Sequence, residues 1–235
     1  MKVIDTDKNV KNGVVNYIRI FIKGMMGAAS QKSSEWVDGF LFVGNRPILD
    51  FLNTRPVLAQ GPTELLPDVH ALERWLIASG IVRSAKMKSL VRSWRGSGPA
   101  EAFRQELIAF RERLREAILR MEGGLAPSDD FIKELNARLL QYPPHTSLHK
   151  RDRRVVRGSL FTVHEPTDLW ELMINGAADL LCETETSRIR KCESCVVHFF
   201  DTSKKGSRRW CSMNICGNKL KVAAYRRRKR DADSH

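Results

Sequence analysis

The sequence predicts an α+β protein: a mostly helical domain with a small antiparallel sheet, followed by a compact C-terminal module. Three observations support this class. Apolar residues recur at helical spacing over much of residues 67 to 185, β-branched residues interrupt that pattern once, and four of the five cysteines lie after residue 190. With 235 residues, 42% of them hydrophobic and 29% charged, the chain has the composition of a globular protein with a substantial core.

Two helices are predicted at the start of the helical region. In "PDVHALERWLIASG", Asp68 is a typical N-cap and Gly80 a typical helix end, and the apolar side consists of Leu72, Trp75 and Leu76. A shorter helix is predicted after Ser84, and it ends at "GSGP". Its inward residues are expected to be Leu90, Val91 and Trp94.

The clearest helix is predicted in "PAEAFRQELIAFRERLREAILRMEGG", where Pro99 suits the first turn and two glycines end the run. Its Glu and Arg residues are interpreted as an exposed charged face. The segment "SDDFIKELNARLL" repeats the pattern with Ser128 as its cap. The apolar residues of the long helix recur every three or four positions: Phe103, Leu107, Phe110, Leu114, Ala117, Ile118 and Met121.

The hydrophobic period then changes once. The segment "TSLHKRDRRVVRGSLFTVHE" predicts a small antiparallel hairpin, because β-branched residues cluster around Arg157 and Gly158. "PTDLWELMINGAADLLCETE" returns to helical spacing, and Cys182 is expected to pack in the core, as a free cysteine behaves like a small hydrophobic side chain. The residues expected to be buried in this helix are Leu169, Trp170, Leu172, Met173, Ala177, Leu180 and Leu181.

The beginning of the chain carries weaker signals. "GFLFVGNRPILDFLNTRPV" mixes a short apolar run with turn residues, so one or two strands are expected there. Residues 1–37 are interpreted as an N-terminal extension that is either disordered or the product of a mis-assigned start, with Met25 or Met26 initiating. Charged and polar residues interrupt the apolar run that an export signal needs, and the cysteine usage favours a reducing, cytoplasmic compartment.

The net charge of +13 is concentrated near the C-terminus. Residues 1–186 contain 26 Lys/Arg and 23 Asp/Glu, whereas residues 187–230 contain 14 Lys/Arg and only two acidic residues. This asymmetry indicates a polyanionic partner, nucleic acid or an anionic membrane surface, and the alternative is a solvated basic tail. Membrane binding is disfavoured, since the C-terminal basic helix has mainly small residues where a lipid-binding helix has bulky apolar ones.

Four cysteines have the spacing of a zinc site. Cys192 and Cys195 form a C-x2-C knuckle, and Cys211 and Cys216 follow after a fifteen-residue loop. Because four soft ligands complete a tetrahedral zinc site, these residues predict one structural zinc ion in a small treble-clef or ribbon-like module. A closed ligand set leaves no open position for catalysis, and the metal would replace the core that so short a segment lacks.

Other roles of these cysteines stay open at this point. A redox pair could use Cys192 and Cys195 alone, an iron–sulfur cluster also takes four thiolates, and His198 could replace one cysteine as a ligand. Three aromatic residues are expected to cover the metal site and exclude water from it: Phe199, Phe200 and Trp210.

The basic residues of the module lie in two clusters, one in the loop before Cys211 and one in a helix predicted after Cys216. Both clusters adjoin the zinc site, so both are expected to approach one phosphate backbone. The predicted nucleic-acid contacts are Lys204, Lys205, Arg208, Arg209, Lys219, Lys221, Arg226, Arg227, Arg228, Lys229 and Arg230.

The C-terminal segment closely resembles the CGNR zinc-finger domain. The match consists of the cysteine knuckle, "FFDTS" at 199–203, "RRWCSM" at 208–213 and "CGNK" at 216–219, in which Lys219 replaces the family's arginine. That replacement keeps the charge but loses the two-pronged donor. Upstream, "FLFVGNRPILDFLNTRP" resembles the opening of the ABATE domain, with its Leu-Asp-Phe-x-Asn-Thr motif at Leu49 to Thr54.

The resemblance implies a bacterial stress-response transcription regulator whose finger binds DNA. An RNA-binding protein is the alternative, with Phe199, Phe200, Trp210 and Tyr225 as stacking residues. An enzyme is not expected, because the sequence has no nucleophile–base constellation, phosphate-binding glycine loop or HExxH motif. A small-molecule effector and a homodimer stay open as partners.

Two interpretations are available for the motif residues Asp50, Asn53 and Thr54. They could line a ligand pocket in a sensing domain, or they could cap a strand end through side-chain-to-backbone hydrogen bonds, and the second is preferred. The predicted domain organisation is an extension over residues 1–37, an ABATE-like helical domain over 38–185, a finger with a basic helix over 186–230, and a tail over 231–235.

Overall fold

The computed structural model describes residues 35–58, 61–159, 161–183 and 185–218, together with Val222, Tyr225 and Lys229. Over these ranges the helical domain contains the α-helices α1 (Pro47–Leu52), α2 (Val69–Ala78), α3 (Ala85–Ser93), α4 (Gly98–Glu122), α5 (Asp129–Gln141) and α6 (Leu169–Leu181). Four two-stranded antiparallel sheets accompany them among the described residues, formed by β1 (Trp36–Val37) with β2 (Phe40–Leu41), β3 (Val57–Leu58) with β4 (Gly61–Pro62), β5 (Thr146–Arg151) with β6 (Arg154–Ser159), and β7 (Ile189–Lys191) with β8 (His198–Phe200). The α+β class with small antiparallel sheets is therefore confirmed.

The N-terminal hairpin is set by its turn residues. Asp38 and Gly39 both have positive φ, at 51° and 81°, which is the backbone that a two-residue turn needs to match the twist of its strands. The expected strands are present as β2 and β3, but residues 47–52 between them form α1. The short apolar run and turn residues of this segment favour strands, whereas Pro47 lies in the first turn of a helix, where its fixed φ is favourable.

Side-chain caps begin the four following helices. Asp68 and Ser128 accept hydrogen bonds from backbone N–H groups in the first turns of α2 and α5, as predicted. Ser84, after which a helix is predicted, does the same for α3. Ser97 does the same for α4. Each cap supplies an acceptor to an N–H group that has no partner within its helix, which fixes where the helix begins.

The helices enclose one large apolar core. Trp75 and Trp170 are almost completely buried, and Phe103 and Phe110 contact the Trp170 ring edge-on, with ring centroids 5.5 and 5.3 Å apart. The stripe predicted for α4 is buried as expected, except that Met121 is half-buried. No helix in the described ranges is both long enough and apolar enough to cross a membrane.

The prediction that the Glu and Arg residues of α4 are exposed is wrong for Arg111, which is completely buried. Its guanidinium donates hydrogen bonds to Thr54 Oγ1 at 2.8 Å, to Glu64 Oε1 at 2.9 Å and to Glu112 Oε1 at 2.9 Å. Position 111 follows Leu107 by four residues, so it lies on the inward side of the helix. Burial opposes ionisation of Glu64, but the hydrogen bonds from Arg111 outweigh it and hold the pKa of Glu64 below its usual value.

The last part of the helical domain contains the predicted antiparallel hairpin, but it corrects the expectation for Cys182. The β5–β6 hairpin turns at Asp152, whose φ is 56°, and Gly158 lies inside β6, where a side chain would approach the His149 ring to 2.8 Å. Cys182 is exposed, so the prediction that it packs in the core is wrong. It is the residue at which α6 ends, one position beyond the buried stripe. Leu181 is half-buried.

Candidate metal centre and nucleic-acid interface

The two cysteine pairs are presented by two tight turns. Cys192 follows β7, and the chain reverses through Val196, with φ 54°, so that the Cys192 N–H donates to the Val197 carbonyl at 2.8 Å. Cys211 precedes a π-helical turn over Met213–Gly217, and Cys216 lies within that turn. Ser212 caps the turn by accepting from the Asn214 N–H at 3.0 Å.

The four sulfur atoms meet in one cluster, and all lie within 4.8 Å of one another. The sulfur of Cys211 lies 3.7 Å from that of Cys195 and 3.8 Å from that of Cys216. Four sulfurs bound tetrahedrally at about 2.3 Å from one zinc ion would be separated by about 3.8 Å. The spacing and the soft donor set therefore fit a zinc ion.

The ionisation of the cluster is coupled. Hydrogen bonding from the Cys211 thiol lowers the pKa of Cys195 to about 5. The pKa of Cys211 is raised by its contact with Cys195 and by burial, and burial raises that of Cys216 to about 12. One negative charge in the cluster thus opposes the formation of the next, and a divalent cation would remove that opposition by binding the thiolates.

The apolar cover of the cluster comes from both parts of the chain. Leu41 and Val43, from the N-terminal hairpin and the segment after it, pack with Val197 and Phe199, and Trp210 and Ile215 are packed against them. The prediction that Phe200 covers the metal site is wrong. Because adjacent residues of a strand point to opposite faces, Phe199 faces the cysteines and Phe200 enters the core of the helical domain.

His198 shares the inward face with Phe200 and is buried. Its Nε2 lies 3.0 Å from Glu122 Oε1 at the end of α4, and the metal-binding group of the described residues consists of the four cysteines. The ligand set is thus made of four thiolates, and His198 belongs to the contact between the finger and the helical domain.

Asn53 joins the two parts most directly. Its side-chain amide donates to the His198 carbonyl at 2.8 Å and accepts from the His198 N–H at 2.9 Å, so it pairs with β8 as a neighbouring strand would. Phe200 is held in the same way, since its N–H donates to the Gly44 carbonyl and its carbonyl accepts from Asn45 Nδ2. Asn53, together with Gly44 and Asn45, therefore holds β8 of the finger against the helical domain.

The other two residues of the predicted ligand pocket are also engaged within the protein. Thr54 donates to the Phe51 carbonyl at 2.7 Å and accepts from Arg111, and Asp50 accepts from the Gly44 N–H at 2.7 Å. Burial raises the pKa of Asp50 to about 7. The preferred interpretation of these residues is hydrogen bonding at a strand end. They do form hydrogen bonds within the protein, but Asp50 lies in α1 and Thr54 just after it.

The basic loop between the cysteine pairs has a fixed shape. Asp201 is completely buried, and its carboxylate accepts from the Ser203 N–H at 2.9 Å and from the Arg208 N–H at 2.8 Å. Arg188 donates to the carbonyls of Asp201 and Ser203. These bonds hold both ends of the loop, and Lys204 and Lys205 are exposed between them.

Arg208 and Arg209, which follow the two lysines, both have partners within the finger. The Arg208 guanidinium donates to the Cys211 carbonyl and lies 4.9 Å over the Phe199 ring, which places it against the metal cluster. Arg209 forms a two-pronged ion pair with Glu193 at the surface. Both arginines therefore stabilise the turns that present the cysteines.

Of the predicted basic helix, Lys229 is helical and exposed, as are Val222 and Tyr225. The remaining predicted contacts of that helix lie outside the described residues: Lys219, Lys221, Arg226, Arg227, Arg228 and Arg230. The predicted extension over residues 1–37 lies largely outside the described residues, and the predicted start at Met25 or Met26 lies wholly outside them.

Sequence reasoning assigned no role to Arg188 and gave Asp201 only a place in a motif. The one signal available was the position of Asp201 in "FFDTS", since Asp often accepts backbone hydrogen bonds in turns. The pairing of Asn53 with a strand far along the chain had no sequence signal.

Comparison with known families agrees with this geometry. Residues 45–184 match the ABATE family, described as "Putative stress-induced transcription regulator", and residues 188–229 match the CGNR zinc finger. A search of curated proteins finds no match. The four clustered cysteines of the finger bind one structural zinc ion. Since the first match alone covers more than half of the sequence, the chain belongs to the ABATE family and carries a CGNR zinc finger at its C-terminus.

Proposed function

We propose that the protein is a cytoplasmic transcription regulator that binds duplex DNA through its zinc finger. The observation that carries the proposal is the loop over residues 202–207, which Asp201 and Arg188 hold in one shape with Lys204 and Lys205 exposed. A preordered cationic loop loses little conformational entropy when it binds phosphates. The 14 Lys/Arg residues over 187–230 supply the attraction.

The docking of the finger supports a single binding face. The inward side of β7 and β8 contributes Ile189 and Phe200 to the core of the helical domain, so that side is covered. The basic loop lies at the opposite end of β8 from the cysteine knuckle and is open to solvent. Zinc has a structural role in this proposal, because it fixes the turn that follows the loop.

RNA binding is the second candidate, and one observation favours it. Tyr225 is 62% exposed, and Arg209 lies 5.3 Å over the half-buried Trp210 ring. Exposed aromatic rings can stack on unpaired bases, which duplex DNA does not offer. The matched families are a regulator and a zinc finger, and we infer that the chain is not an enzyme. A small-molecule effector and a homodimer stay predictions from the sequence.

The test is the binding of the zinc-loaded full-length protein to a labelled DNA duplex and to a single-stranded RNA of equal length. If about six phosphates are contacted, log affinity should fall with log salt at a slope near −5. Lys204→Gln/Lys205→Gln should weaken binding about tenfold and reduce the slope by about 2. The matched control is Lys86→Gln/Lys88→Gln on α3, which removes the same charge from the helical domain.

Two results would contradict the proposal. Preference for the RNA strand at equal salt would show that the second candidate, RNA binding, is correct. Zinc removal that leaves both the affinity and the salt slope unchanged would show that the finger is not the binding element.

A further inference from the structure

The β5–β6 hairpin, which we call the arm (residues 146–159), projects from the helical domain. Its strands pair in register from Thr146–Ser159 to Arg151–Arg154, and each spans about 20 Å. Strand faces normally differ in exposure, with one packed on a core. In the arm both faces are open: Leu148 and Val155 on one face are 71% and 64% exposed, and His149 and Val156 on the other are exposed as well.

The arm also concentrates positive charge within a domain that is otherwise neutral. It contains five Lys/Arg and one acidic residue, Asp152. The rest of residues 1–186 contains 21 Lys/Arg and 22 Asp/Glu. The small excess charge of this part of the chain therefore lies entirely in the arm.

Three cations of the arm, Lys150, Arg153 and Arg154, differ in their partners from several arginines elsewhere in the domain. Arg74, Arg95 and Arg113 each form a close ion pair, with Asp38, Glu73 and Glu134 respectively. Within the described ranges, no carboxylate lies within ion-pair distance of Lys150, Arg153 or Arg154. Solvent-exposed strands often carry cations that prevent aggregation, but Arg153 lies in the turn between the strands, where it protects no edge.

We propose that the arm is a second contact for the phosphate backbone of duplex DNA, separate from the zinc finger. This inference rests on the proposed function. A two-stranded ribbon is narrow enough to enter the major groove, where Lys150, Arg153 and Arg154 would reach phosphates on its walls. Leu148 and Val155 would contact apolar base edges such as thymine methyl groups.

Helix α6 lies between the two contacts along the chain. The base of the arm is held at the first turn of α6, where Glu171 accepts from the His145 N–H at 2.9 Å and contacts its ring at 2.8 Å. The finger follows the other end of the same helix. Thirteen residues of helix span about 20 Å, which equals about six base pairs of duplex. A duplex that reaches both contacts must be longer than this.

The test compares three double variants of the zinc-loaded full-length protein on one long duplex: Arg153→Gln/Arg154→Gln in the arm, Lys204→Gln/Lys205→Gln in the finger, and Lys86→Gln/Lys88→Gln as the charge-matched control. The arm variant is expected to weaken binding about tenfold and to reduce the salt slope by about 2, while the control changes neither. On a duplex of about six base pairs, the arm variant should bind like the wild type.

The failures are distinguishable. If the finger variant loses affinity and the arm variant matches the control on every duplex, the arm makes no contact and this inference is wrong while the proposed function stands. If the wild type binds no duplex, the proposed function itself fails. If Leu148→Thr/Val155→Thr converts a dimer to a monomer in sedimentation while DNA affinity is unchanged, the arm serves self-association and the inference is overturned.

Discussion

The helical domain and the finger are stabilised by different means, although they share a boundary. The helical domain encloses two tryptophans and a continuous set of apolar side chains. The finger has a small cluster, in which six apolar side chains surround the four cysteines. Residues 40–43 alternate between the two: Phe40 and Phe42 pack on the large core, and Leu41 and Val43 cover the cysteines. Zinc therefore substitutes for most, but not all, of the apolar core that a larger domain would have.

Removal of zinc should have the largest effect, and it should unfold the finger while the helical domain stays folded. Zinc binding to small structural sites is worth about 10–16 kcal/mol, so Cys211→Ser or a strong chelator should unfold the finger. The helical domain should retain a cooperative thermal transition, because its core does not contain the cysteines. Hydrogen exchange measured residue by residue would show loss of protection in β7 and β8 but not in α4.

Cys182→Ser is the matched control, since Cys182 is exposed and lies outside the cluster. It should leave one bound zinc per chain and unchanged exchange rates. Unfolding of both parts upon zinc removal would contradict the distinction between the two cores.

Replacement of Arg111 should act in the opposite sense, destabilising the helical domain while zinc stays bound. Arg111→Met removes one partner of a buried ion pair, for which a loss of about 3–5 kcal/mol in the free energy of unfolding is expected. Arg113→Met on the same helix removes a surface pair with Glu134 and should cost less than about 1 kcal/mol. Urea denaturation followed by tryptophan fluorescence measures both.

The same substitution should change the response to acid. Because the pKa of Glu64 lies below its usual value of 4.5 in the folded protein, its contribution to stability is present above about pH 4.5 and is lost as pH falls through the folded pKa. Arg111→Met should make the free energy of unfolding less dependent on pH below about pH 4.5. An equally steep acid response in the variant would show that the pair is not the cause.

The smallest effect is expected at the joint itself. Asn53→Ala leaves the N–H and carbonyl of His198 without their partner, for which about 1–3 kcal/mol is expected. Because the bond holds β8 in place, zinc affinity should also fall several-fold in a chelator competition. Asn53→Asp keeps the acceptor but places a buried carboxylate oxygen against the His198 carbonyl, so it should cost at least as much as Asn53→Ala. Asn136→Ala, at an exposed position on α5, is the control, and an equal loss there would contradict the role of Asn53.

Local signals predicted much of the fold and of the metal site. Caps such as Asp68 and Ser128 and the apolar spacing of α4 depend on neighbours within a few residues, as does the spacing of the cysteine pairs. Two features that the sequence did not predict originate in distant contacts. Asn53 bonds to a residue 145 positions away, and Arg111 is buried because Thr54 and Glu64 meet it there. Helix α1 was missed because six residues carry too short a pattern to separate a helix from a strand.

The alternation of residues 40–43 has a practical consequence for dissecting the protein. A peptide that starts at the first residue of the finger would lack Leu41 and Val43, which cover the cysteines, and Asn53, which bonds to β8. Such a fragment could still capture a metal while its strands lose their register, and its affinity for any ligand would then understate that of the intact molecule. A transplant of this finger into another scaffold should therefore carry the N-terminal hairpin and the first helix with it.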